Sequence, residues 1–93
     1  MTELEFMDIV PKSLKQIVED TLEEVMCAVL LEVPYSEDEV EKAVSEYIWR
    51  KNDDLTNIFY RMEDIVRASY PEHNPRELLK SFLTDIMCER LGI

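Results

Sequence analysis

The chain has 93 residues, 46% of them hydrophobic and 33% charged, with 21 acidic against 10 basic side chains and a formal net charge of −11. That is one small domain, with enough apolar material to build a core and so escape the disorder its charge favours. One glycine and four prolines leave little for the tight turns of a hairpin-rich β fold, and so dense a negative charge repels nucleic-acid phosphate and anionic lipid alike.

At the N-terminus, Thr2 and Glu5 have the spacing of a capping box, with Leu4, Phe6, Ile9 and Val10 as the apolar residues that follow. The alternation of Leu4 and Phe6 also permits a short strand. Pro11 closes this segment. From Lys12 to Val33, a wide stripe at helical spacing holds Leu14, Ile17, Val18, Thr21, Leu22, Val25, Cys27, Ala28, Val29 and Leu31. Between Val25 and Leu31 the pattern is apolar nearly all round, which predicts a stretch central in its bundle or buried in a subunit interface.

Pro34 stops that helix, and Ser36 with Glu39 forms a second capping box. The helix it opens carries Val40, Ala43, Val44, Tyr47 and Ile48 on one face. Asn52, Asp53 and Asp54 mark a turn or kink, after which Leu55, Ile58, Phe59, Met62, Ile65 and Val66 repeat at three and four residues as far as Tyr70-Pro71. Asn74 and Pro75 then read as an N-cap and first helical position, and Gly92 as a C-cap, bracketing Leu78, Leu79, Phe82, Leu83, Ile86, Met87 and Leu91. The fold expected is all-α, a single-domain bundle of four to five helices spanning residues 1–93.

Little in this pattern points to catalysis. His73 is the one histidine and has no partner at metal-ligand spacing, and Gly92 is the one glycine, so no phosphate loop can form. A carboxylate di-metal bundle needs inward Glu-x-x-His pairs, which are absent. Cys27 and Cys88 each follow a methionine in an apolar stretch and are expected as free, buried thiols. The expectation is therefore a non-enzyme without metal or cofactor. The start of the chain has neither a basic segment nor an apolar core of the secretory kind, and the longest apolar run has seven residues against the roughly 20 that span a bilayer. An intracellular, cytoplasmic protein without membrane contact is the corresponding expectation.

Charge is distributed unevenly. Residues 1–49 hold 13 acidic and 3 basic side chains, whereas residues 50–93 hold 8 and 7. The acids concentrate in residues 19–46, where Lys42 is the one base. Glu19 and Glu23, and likewise Asp20 and Glu24, stand one turn apart, about 6 Å along a helix axis. Like charges at that spacing cost an isolated helix about 0.2–0.5 kcal/mol per pair. Glu37, Asp38, Glu41 and Glu46 extend the acidity onto the next helix. Acids in a first turn favour the helix dipole and aid solubility, so a plain solvated face accounts for part of this pattern. The sharper reading is a docking face for a basic protein, the rows of carboxylates resembling the phosphates of one nucleic-acid strand. Trp49, Tyr60 and Arg61, of types common in binding hot spots, fall off the apolar faces and are candidate anchors beside it.

Two functions follow as expectations. The first is an inhibitor or regulator whose acidic face docks on a basic, possibly nucleic-acid-binding, partner; a phage anti-defence inhibitor or nucleic-acid mimic is one version. The second is a homodimeric structural or adaptor protein with Val25 to Leu31 at the subunit interface.

Overall fold

The computed structural model describes residues 2–33, 36–49 and 53–93, with side chains for 2–33, 36–47 and 59–93. Five α-helices follow one another: α1 (Glu3–Ile9), α2 (Lys15–Leu31), α3 (Glu37–Trp49), α4 (Asp53–Ser69) and α5 (Pro75–Leu91). A single 3₁₀ turn, Lys12–Leu14, leads into α2, and there is no strand among the described residues. The all-α expectation holds.

The caps sit where the sequence places them. At α1 the Glu5 N–H donates to the Thr2 hydroxyl at 3.2 Å, and the Thr2 N–H returns the bond to the Glu5 carboxylate. That reciprocal box resolves the ambiguity of Leu4 and Phe6 in favour of helix. Ser36 accepts from the Glu39 N–H at 3.3 Å. Asn74 accepts from the N–H groups of Arg76 and Glu77, behind Pro75. Gly92 ends α5 in the left-handed region, at φ 73°, where its lack of a Cβ removes the steric cost. At the end of α2, by contrast, Val33 occupies the same region at φ 49°. The expected stop at Pro34, and the turn at Asn52, lie outside the described residues.

Packing is organised around α5, which touches all four other helices. Its buried residues are Leu79, Phe82, Leu83, Thr84, Ile86, Met87 and Cys88, a wide arc suited to a central helix. Phe82 stands edge-on between Phe6 of α1 and Tyr70 after α4, with ring centroids at 6.2 and 5.6 Å. Val18, Leu22, Val25 and Val29 of α2, Val40 and Val44 of α3, and Phe59, Met62 and Val66 of α4 complete the core. The two buried threonines satisfy their hydroxyls within their own helices, Thr21 on the Ile17 carbonyl and Thr84 on that of Lys80, each at 2.8 Å.

One alternative for residues 25–31, enclosure at the centre of the bundle, and the expectation of two buried thiols need correction. Residues 25–31 are not enclosed: Val25 and Val29 are fully buried, but Leu30 and Leu31 are 51% and 83% exposed. Cys27 is exposed as well, while Cys88 is buried, and both are free thiols. The reason is geometric. Val18, Leu22, Val25 and Val29 fix the arc that faces the core, and at 3.6 residues per turn Cys27 and Leu31 fall on the opposite side.

Candidate functional site

The outer face of α2 carries two adjacent rows of side chains. One is Glu19, Glu23, Met26 and Leu30; the other is Asp20, Glu24, Cys27 and Leu31. All but Met26, which is half-buried, are exposed. The first two turns of this face are thus acidic and the last turn is apolar. Glu23 is held by Arg90 of α5, whose Nη1 lies 2.8 Å from its carboxylate. Asp20 accepts a hydrogen bond from Gln16 at 3.0 Å. Glu19, Asp20 and Glu24 have no cationic partner among the described residues.

A second acidic surface follows the seam between α3 and α5, which pack closely in opposite directions. Glu37 and Glu41 of α3 line one groove with Glu77, Lys80 and Asp85 of α5. Glu37 and Asp85 continue into a neighbouring groove with Glu5 and Glu89. Lys80 reaches both Glu41 at 3.7 Å and Glu77 at 3.6 Å. Glu46 belongs to a third, smaller groove of about 170 Å³ between α2 and α3, with Glu32, Glu39 and Lys42. Asp38 is exposed in the first turn of α3.

The fold therefore brings together Glu19, Asp20, Glu23 and Glu24 on one face, and Glu37 with Glu41 on another. It also recruits Glu77, Asp85 and Glu89, which sequence reasoning passed over. Their spacing of eight and four residues on one side of α5 was a readable signal; their position opposite α3 was not.

The expected anchors lie elsewhere. The Trp49 side chain is outside the described residues. Tyr60, half exposed, sits beside the Arg76 guanidinium. Arg61 is at the edge of an apolar groove of about 440 Å³ formed with Ile9, Pro11, Leu14, Ile65 and Ala68.

Among the described residues, one acid is buried. Glu63 of α4 is only 7% exposed. Arg76 at the start of α5 donates to it through Nε at 2.8 Å, which compensates the burial. This hydrogen bond raises the Arg76 pKa above its ordinary value, burial opposing it to a lesser degree. At Arg90, burial disfavours the charge most, but hydrogen bonds from its guanidinium to Glu3 and Glu23 outweigh it and raise the pKa. Arg90 Nε stands 2.6 Å from Glu3, and the Glu3 N–H donates to Glu89 at 3.1 Å. These contacts fasten α1 to the end of α5. Burial, with help from Glu37 and Asp85, pushes the Cys88 thiol up.

No group of three or more His, Cys, Asp or Glu among the described residues is placed to hold a metal ion. His73 is exposed, with its ring edge-on to Tyr70. No helix among the described residues is long and apolar enough to cross a membrane. No family model matches the chain, and neither a curated protein nor a solved structure matches it.

Proposed function

We propose that the chain is a non-catalytic binding module that docks its acidic α2 face on a basic surface of a partner protein. The observation that carries this reading is the unequal use of the nearby cations. Arg90 is spent on Glu3 and Glu23, and Lys80 on Glu41 and Glu77. Glu19, Asp20 and Glu24 are left facing solvent with no cation among the described residues. Charges left unmatched inside a fold raise the on-rate and selectivity of binding to an opposite surface. The α3–α5 seam, with Glu37, Asp38 and Glu41, and the groove at Glu46 extend the negative field around the molecule. A regulator or inhibitor that occupies the basic site of a nucleic-acid-handling protein fits this chemistry, in the manner of a one-faced nucleic-acid mimic.

The test is affinity capture from a cell lysate by the immobilised chain, with stepwise salt elution, beside the variant E19Q/D20N/E24Q. Basic proteins are expected on the native chain, released as salt rises well above about 0.15 M, and absent from the variant. Equal capture by both contradicts the proposal.

The homodimer reading keeps one observation in its favour. Leu30, Leu31 and Val33 are exposed apolar side chains at the end of α2. Val25 and Val29 are committed to the core, so a self-interface would rest on the last turn of α2 rather than on residues 25–31 as a whole.

A further inference from the structure

The two outer rows of α2 share one spacing. Glu19, Glu23, Met26 and Leu30 are separated by four, three and four residues, and so are Asp20, Glu24, Cys27 and Leu31. Alternating steps of three and four keep side chains in line along one face, which is the pattern of a helix-packing seam. Inside the molecule α2 already spends a different arc, Val18, Leu22, Val25 and Val29, on the core. The outer seam is a second one, and no described element covers Leu30, Leu31 and Val33, which are 51%, 83% and 56% exposed. From Glu19 to Leu31 it runs about 18 Å, or 12 steps of 1.5 Å. That length suits a partner helix of three to four turns.

We propose that this outer seam of α2 binds a basic amphipathic helix of a partner protein. The apolar side of that helix covers Cys27, Leu30, Leu31 and Val33, and its Lys or Arg side chains meet Glu19, Asp20 and Glu24. The proposal rests on the acidic-face reading above and adds the form of the partner to it.

Charge decides between a basic helix and a second copy of this chain. In a parallel self-pair, the acidic turns with Glu19, Asp20 and Glu24 would lie against their own copies. In an antiparallel pair, they would lie against the exposed Leu30 and Leu31 of the other α2, which offer them no cation. The parallel arrangement sets acid against acid, the antiparallel one leaves the carboxylates without a cation, and both bring together chains of net charge −11. A helix with lysines or arginines flanking an apolar stripe removes that repulsion in either direction, and binding of this kind is read as anchors at three- and four-residue spacing.

Fluorescence anisotropy with three labelled synthetic peptides tests this. The first has leucine at the seam positions of a helix and lysine elsewhere; the second scrambles the same residues so that no apolar face forms; the third keeps the leucines and replaces lysine by glutamate. The first peptide is expected to bind at least about tenfold more tightly than the second, and L30A/L31A to erase that difference, as loss of two leucine contacts implies. Because both leucines are exposed, the variant keeps its helix signal in circular dichroism. Equal binding of the first two peptides, unaffected by L30A/L31A, overturns the amphipathic helix but leaves the acidic docking face intact. Undiminished binding of both lysine peptides to E19Q/D20N/E24Q overturns the acidic face itself. Tight binding of the glutamate peptide overturns the charge match. Sedimentation as a dimer that L31D converts to a monomer assigns the seam to a second copy and overturns the proposal.

Discussion

Cys27 and Cys88 show how far one turn of helix decides a side chain's chemistry. Each follows a methionine in an apolar stretch, yet Cys27 is exposed on the outer face of α2 and Cys88 is buried in α5. A thiol-reactive dye is expected to titrate one cysteine rapidly in the native protein and the second only after denaturation; two fast thiols would contradict the packing of α5. The raised pKa of Cys88 has a consequence for stability. A buried neutral thiol contributes fully below the ordinary thiol pKa of about 8.5, and that contribution is lost as pH rises through the raised folded value. The urea midpoint is therefore expected to fall more steeply above about pH 9 for the native chain than for Cys88→Ala.

Val33 is a second residue whose position has a measurable cost. A β-branched side chain at φ 49° is strained by about 1–2 kcal/mol, whereas glycine there forgoes only about 0.5–1 kcal/mol of unfolded-chain entropy. Val33→Gly is expected to stabilise the fold by roughly 0.5–1 kcal/mol, a rise in Tm of a few degrees for a domain of this size. A lower Tm would show that the Val33 side chain has a role that its exposure hides.

At the scale of elements, α4 and α5 are joined by an ionic contact as well as by their apolar faces. Glu63 is buried and Arg76 is its cation. Removing Arg76 leaves a buried carboxylate without its charge partner, which costs more than the pair itself contributes. Arg76→Ala is expected to destabilise by about 2–3 kcal/mol, and the double variant R76A/E63L to recover much of that loss. Additive losses in denaturant unfolding would contradict this account.

The helices themselves were legible in the sequence because local chemistry sets their ends. Thr2, Ser36, Asn74 and Gly92 each perform the capping role that their residue type suggests. What was not legible is which helix lies at the centre. Residues 25–31 are apolar on all sides, so periodicity alone could not reveal that Leu31 faces outward; that depends on α5 occupying the middle of the bundle. The same holds for the candidate site. The rows of Glu19, Asp20, Glu23 and Glu24 follow from helical spacing. The capture of Glu23 by Arg90, 67 residues away, and the meeting of Glu37 with Asp85 across the α3–α5 seam, depend on tertiary packing.

For the molecule as a whole, the charge of −11 is not spread as a uniform coat. The second half supplies Arg76, Lys80 and Arg90, and each is used to tie α5 to an acidic helix. None of these cations reaches Glu19, Asp20 or Glu24, so that part of α2 stays negative. The fold leaves carboxylates without a cation on α2 and places an exposed apolar turn at the end of the same face. Self-association is opposed by that field, and association with a basic surface is favoured by it. If the chain docks as proposed, the carboxylates of α2 contribute binding energy to a basic partner. The most direct measurement is the slope of log Kd against log salt concentration for the lysine–leucine helix, taken with the native chain and with E19Q/D20N/E24Q. A steep slope for the native chain that flattens in the variant, with affinity lost chiefly at low salt, is the expected result. Identical slopes for the two proteins would contradict it.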